Sequence, residues 1–139
     1  MKTYHGAVVG YGGMGRHHVT GILKTPRVRY TGAWDIDPAR LEVAREDGLR
    51  AYPSLEAVLA DGEVEFILCA TPNNFHKDIA IAALRAGKAV ICEKPVTMSS
   101  GELAEIMAVQ KETGGLFTVH QNRRMDRDFL IVKEAIQSG

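Results

Sequence analysis

With 139 residues, 45% apolar and 24% charged, the chain has the size and composition of one globular domain with its own core. Its 17 basic and 17 acidic residues cancel, and the only basic doublet of note, Arg123-Arg124, is too short for a nucleic-acid footprint. No apolar run approaches the roughly 18 residues of a membrane span, and Lys2, Thr3, Tyr4 and His5 do not open a signal peptide, so the expectation is a cytoplasmic protein without a membrane partner.

Short apolar runs alternate with longer segments of helical period. In chain order the strand-like runs are Gly6–Gly10, Arg29–Trp34, a weak one at Arg50–Tyr52, then Phe66–Ala70, Ala89–Cys92 and Leu116–His120. Near-continuous apolar strands point to a sheet covered on both faces, hence parallel. Between them lie helix signals. Asp37-Pro38 places a capping acid before a first-turn proline. Ser54 can cap Leu55–Ala60, and Asn73 or Asn74 can cap the segment that ends at Ala86 before Gly87. Ser99-Ser100-Gly101-Glu102 fits a capping box, with Glu102 reaching back to Ser99. Gly114-Gly115 ends that helix, and a last helix runs from about Asp128 to Gln137. The alternation predicts a doubly wound α/β domain, a Rossmann fold, with right-handed crossovers. Cys69 and Cys92 both sit in apolar strands and read as buried, reduced thiols.

The stretch Gly10-Tyr11-Gly12-Gly13-Met14-Gly15 matches G-x-G-x-x-G between the first strand and the first helix. That context is what dinucleotide binding requires. Gly10 permits a tight turn, Gly12 lets a pyrophosphate approach the backbone, and Gly15 lets the helix pack against the strand. The free N–H groups of the first turn, with Gly13 and Met14 among them, would face phosphates. About twenty residues on, Asp35 ends the second strand, where a carboxylate can accept hydrogen bonds from an adenosine ribose and repel a 2′-phosphate. Ile36 follows it, offering that phosphate no cation, so NAD is favoured over NADP; Arg40 softens the preference. A tight turn without ligand, or a methyltransferase-type fold, shares these two features alone.

Two further stretches fall at the ends of the fourth and fifth strands: CATPNNFH (Cys69–His76) and AGKAVICEKP (Ala86–Pro95). Ligands of an open α/β sheet bind at the carboxyl ends of the strands. The glycine turn, TP-N-x-H and AGKxVxCEKP together resemble the glucose–fructose oxidoreductase, inositol dehydrogenase and rhizopine-catabolism family, across essentially the whole chain. The resemblance implies an oxidoreductase that transfers hydride between a nicotinamide cofactor and a sugar, polyol or related hydroxy or keto substrate. By position, it implies that Ala70, Thr71, Pro72, Asn73 and His76 line the nicotinamide half and that Glu93 holds the nicotinamide ribose. Lys94 would stand beside the nicotinamide and the reacting carbon, with a cis bond before Pro95. His18, Gln121, Asn122 and Arg123 fall in family-like stretches with less specific roles, Asn122 being counted with the cofactor-binding residues. Oxidation of an alcohol requires loss of its O–H proton. A nearby positive charge and partial burial favour a neutral Lys94 amine able to take it; Glu93 pulls the other way, and a cationic Lys94 would instead stabilise an alkoxide. The plain alternative is a surface lysine ion-paired to Glu93.

His17-His18 does not form a metal site, since adjacent helix residues face apart; one should pack and one be solvated. His5 and His120 read as ordinary strand-end or core histidines. Family members are longer and add a second, largely antiparallel domain that walls the substrate pocket, completes a proton relay and mediates oligomers. The expectation is therefore a cofactor domain whose last helix leads toward such a partner domain. Alone it would bind nucleotide with little turnover and self-associate through exposed apolar surface. A non-catalytic nucleotide sensor is the alternative.

Overall fold

The computed structural model describes residues 2–22 and 25–139. In chain order the elements are β1 (Tyr4–Val9), α1 (Gly13–His17), β2 (Val28–Trp34), α2 (Pro38–Glu46), β3 (Arg50–Ala51), α3 (Leu55–Ala60), β4 (Phe66–Cys69), α4 (His76–Arg85), β5 (Ala89–Cys92), α5 (Ser100–Thr113), β6 (Phe117–Val119) and α6 (Arg127–Ser138). A π-helical turn over His18–Ile22 extends α1, and short 3-10 turns at Asn73–Phe75 and Asn122–Met125 precede α4 and α6. The six strands are all parallel, in the order β3-β2-β1-β4-β5-β6. Strand order reverses between β1 and β4, which opens a crevice at their carboxyl ends. This is the doubly wound Rossmann fold that the sequence predicts.

Period-two alternation in the central strands feeds two cores. Ala7, Val9, Ile67 and Cys69 face one way and pack with Val58 of α3, Leu84 of α4 and Ile106 of α5. Val8 and Leu68 face the other way, toward Ala44 of α2, Tyr11 and Leu49. Sequestering a valine- or leucine-sized side chain stabilises by roughly 1.5–3 kcal/mol, so β1 and β4, covered on both faces, anchor the domain. Strand limits move by a residue or two from the expected ones. β1 starts at Tyr4 and stops before Gly10, whose φ of +92° ends the extended run. β2 begins at Val28, β4 ends before Ala70, and β6 is confined to Phe117–Val119. β3 has only two residues: the Tyr52 N–H still reaches the Ala33 carbonyl at 2.9 Å, but Pro53 follows it without an N–H to donate.

The helix starts follow local chemistry. Asp37 accepts the Ala39 N–H at 2.9 Å ahead of Pro38, and Ser54 accepts the Ala57 N–H at 3.1 Å. Ser99 Oγ accepts the Glu102 N–H at 3.2 Å, but Glu102 reaches past Ser99 to the Met98 N–H at 2.9 Å. The asparagine cap expected before α4 is absent: Asn73 and Asn74 lie inside the 3-10 turn, and Phe75 precedes the helix without a side-chain cap. α6 has no buried residue, and Phe129, Leu130, Ile131, Val132 and Ile136 are exposed. Among the described residues no helix is long and apolar enough to cross a membrane.

Candidate functional site

The turns that follow the central strands are hung from their neighbours by backbone hydrogen bonds. The Gly10 N–H donates to the Trp34 carbonyl at 2.9 Å and the Ala70 N–H to the Val9 carbonyl at 2.8 Å. The Glu93 N–H donates to the Cys69 carbonyl at 2.9 Å and the His120 N–H to the Cys92 carbonyl at 2.8 Å. The glycine turn, Asp35, Ala70–Asn73, Glu93-Lys94 and His120 therefore share one edge of the sheet. A cavity of about 690 Å³ opens at the opposite end, lined by Val28, Val64, Phe66 and Leu116, and none of those turns borders it.

The glycines of the motif divide by what surrounds them. A Cβ on Gly10 would come within 2.7 Å of the Ala70 backbone, and one on Gly15 within 2.1 Å of the Gly10 carbonyl oxygen. Those two are needed by the protein's own packing. A Cβ on Gly12 or Gly13 would meet nothing within 4 Å, and neither has positive φ. Nothing in the protein requires glycine there. The space they leave is a cradle that side chains would fill, and among the described residues the Gly12 N–H has no hydrogen-bond partner. Such a cradle at the mouth of α1 fits a dinucleotide pyrophosphate. Met14 stands exposed beside it.

The turn is braced from both sides. The Tyr11 N–H donates to Asp35 Oδ2 at 2.6 Å, and Asp35 Oδ1 accepts the Asp37 N–H at 2.9 Å. Asp35 thus holds the turn, and its remaining lone pairs are free to accept further donors. Ile36 beside it is exposed. The Tyr11 ring is buried, and its hydroxyl donates to Asp47 Oδ2 at 2.8 Å. Arg16 grips the same carboxylate with Nε at 2.8 Å and Nη2 at 3.0 Å. Burial and the bond to Asp47 push the Tyr11 hydroxyl far above its usual range. The Arg16 hydrogen bond, against some burial, holds the Asp47 carboxyl below its own. This brace carries no motif in the sequence, since Asp47 lies 31 residues from Arg16.

His76 is placed differently from expectation. It is fully buried rather than lining the crevice. Its Nε2 lies 2.8 Å from the Thr71 carbonyl, and its Nδ1 lies 3.1 Å from the Pro95 carbonyl and 3.3 Å from that of Val96. It staples the turn after β4 to the turn after β5. Thr71 and Asn73 are half-buried and Pro72 is exposed at the rim. The Lys94–Pro95 bond is cis.

Glu93 and Lys94 are also not the ion pair of the plain alternative. Glu93 is buried, and its Oε1 lies 2.5 Å from His18 Nε2 and 2.8 Å from His120 Nδ1. Its Oε2 accepts the Lys94 backbone N–H at 3.2 Å. Burial works to raise its pKa, but the two histidine hydrogen bonds outweigh it and hold the carboxyl below its usual value. His18 is the packed member of its pair, whereas His17 is exposed. Burial, opposed by Glu93, lowers the His18 pKa. The rings of His18 and His120 meet edge to face with centroids 4.6 Å apart. His120 is therefore no ordinary strand-end residue but a partner of the EKP glutamate. The Lys94 side chain points the other way, exposed and with no ion pair among the described residues.

Asn122 lies in the exposed 3-10 turn after β6, outside this network, and Arg123 pairs with Asp126 at 2.6 Å. Gln121 is exposed. Cys69 and Cys92 are register partners on β4 and β5, both buried and both free.

Residues 5–121 match the family described as "Oxidoreductase family, NAD-binding Rossmann fold". The chain is 32% identical over 142 residues to an inositol 2-dehydrogenase of Corynebacterium glutamicum, covering 99% of this chain and 42% of that one. It superposes on the solved structure of an NAD-binding protein from Listeria innocua with a TM-score of 0.94 at 51% identity, covering 99% of this chain and 41% of that one. GenD2 from gentamicin A biosynthesis, solved in complex with NAD, gives a TM-score of 0.89 at 31% identity, covering 97% and 39%. The chain thus spans about two fifths of these proteins' length. The family match runs from the first strand to the turn after the sixth and takes in every element that carries the crevice. The chain belongs to the oxidoreductase family with an NAD-binding Rossmann fold, and it is related to the inositol dehydrogenases within it.

Proposed function

We propose that this chain is the cofactor-binding part of a nicotinamide-dependent oxidoreductase acting on a sugar, polyol or related hydroxy or keto substrate, with Lys94 at the reacting centre. The observation that carries the reading is the shared edge: an open glycine cradle after β1 and an exposed lysine after β5 lie at the carboxyl ends of the same sheet. Bound NAD would supply the hydride acceptor for oxidation of the substrate's C–H. The chain's own groups do the rest. Gly12, Gly13 and Met14 would hold the pyrophosphate, and Asp35 the adenosine ribose, with the exposed Ile36 favouring NAD over NADP. Ala70, Thr71, Pro72 and Asn73 would border the nicotinamide half. Glu93, turned inward, acts from beneath the turn. Lys94 would take the proton of a substrate hydroxyl as a neutral amine, or oppose the developing alkoxide charge as a cation. His76 serves these groups by holding two of the turns together.

Lys94 stands in water in this chain, and a solvated lysine is a weak catalyst because water screens its charge. The 139-residue chain is accordingly expected to bind nucleotide and turn over little. Fluorescence titration with NADH and NADPH tests the reading. Saturable binding that favours NADH, with the gap narrowed by Asp35→Ala, supports it. Failure of both nucleotides to bind would overturn it. In a longer protein containing this chain, Lys94→Ala is expected to abolish turnover of a polyol or sugar while leaving NADH affinity in place. Unchanged turnover would favour a sensor without chemistry.

A further inference from the structure

Glu93, His18 and His120 meet from three separate elements: the end of β5, the π-helical turn after α1 and the end of β6. A carboxylate only accepts, so the ring nitrogens facing it carry the protons. His18 presents Nε2–H and His120 presents Nδ1–H, and neutral imidazoles make both bonds. Burial favours the neutral form of His18. The cluster then carries one net negative charge, on a glutamate only 5% exposed. Among the described residues no cationic side chain is paired with it: Lys94 offers Glu93 its backbone N–H alone and is itself exposed. The other titratable groups around the cluster are His17 on α1, Tyr30 on β2 and the Cys92 thiol on β5, none of which supplies a fixed positive charge. A buried carboxylate is normally compensated by a cation. This one is solvated by two histidines and left charged.

We propose that the uncompensated charge of the Glu93–His18–His120 cluster makes the crevice prefer the oxidised over the reduced nicotinamide dinucleotide. The inference rests on the dinucleotide reading of the site given above. The two cofactor forms share the same phosphates, riboses and adenine. They differ by one positive charge, carried on the oxidised nicotinamide ring. A fixed negative charge beneath the turn that would border this ring attracts one form and is indifferent to the other. His18 and His120 are positioning residues here: they keep Glu93 ionised and inward rather than touching the ring.

The test uses this chain. NADH affinity is measured by fluorescence titration, and NAD⁺ affinity by competition against it, for the unaltered protein and for Glu93→Gln. Glutamine keeps the shape and the accepting oxygen but removes the charge. The expected result is an NAD⁺ affinity that falls about tenfold relative to that of NADH, the size of one charge acting across about 12 Å of partly polar protein. Equal change in both affinities, or none, would overturn the proposal. Should Glu93→Gln lose its circular dichroism signal, the unaltered chain supplies a second readout. The NAD⁺ to NADH affinity ratio is expected to drop at acid pH in step with protonation of His18, followed by its ring-proton NMR signal, since burial holds its pKa below the usual histidine value; a ratio flat through that transition overturns the idea. Saturable binding with a ratio insensitive to both changes would remove this proposal while leaving the dinucleotide reading standing. No binding of either form by the unaltered chain would remove both.

Discussion

Gly15 and the carbonyl oxygen of Gly10 are so close that a Cβ on Gly15 would lie 2.1 Å from that oxygen. The last glycine of the motif exists for the first, not for a ligand. Gly15→Ala is therefore expected to destabilise by about 1–3 kcal/mol, because backbone rather than a flexible side chain must give way. Gly12→Ala, which meets no protein atom within 4 Å, is expected to leave stability within about 0.5 kcal/mol and to weaken NADH binding about tenfold or more. Urea unfolding and NADH titration on both variants separate the roles. A turn without a ligand role would leave nucleotide binding indifferent to Gly12.

The Tyr11 hydroxyl and the Arg16 guanidinium share Asp47. Tyr11→Phe removes one bond and leaves the other, and is expected to cost about 1 kcal/mol. Asp47→Ala strands the buried hydroxyl and should cost more, about 1–3 kcal/mol. Unfolding midpoints in denaturant give both values, and the ranking is the diagnostic part.

His18 makes stability depend on pH. Its folded pKa lies below the unfolded value of about 6.5. Between those two values the unfolded chain binds more protons than the folded one, so stability rises with pH across that window and is lost as pH falls through it. The melting temperature is expected to decline on acidification from pH 7 toward pH 5. His18→Gln should flatten that decline. An unchanged slope in the variant would assign the acid sensitivity elsewhere.

His76 bridges the Thr71 carbonyl to those of Pro95 and Val96. His76→Ala opens a cavity and removes the ring that joins the two turns, at a cost of about 2–4 kcal/mol. Amide hydrogen exchange should report the loss first in the turns after β4 and β5. Protection unchanged at both turns would mean the staple is not what holds them.

What could be read in the sequence was what is local. The glycine turn, the caps at Asp37 and Ser54, the inward alternation of β1 and β4 and the family motifs are written in neighbouring residues. The interior of the site is not. Glu93 meets His18 and His120 across separations of 75 and 27 residues, and a lone histidine in sequence carries no mark of its partner. The motif around His76 puts it at the crevice wall; packing turns it beneath the wall instead. The alternative that pairs Glu93 with Lys94 fails for a like reason, since adjacency along a chain says little about which way two side chains leave a strand end. Glu102 overshot Ser99 for a smaller reason, the reach of a flexible side chain to the next free N–H.

The backbone bonds that join Gly10 to Trp34, Ala70 to Val9, Glu93 to Cys69 and His120 to Cys92 tie the rim of the crevice together like rungs. Each turn borrows its position from the strand beside it. The rim of the crevice is therefore set by the sheet as a whole, and no one turn fixes its own place.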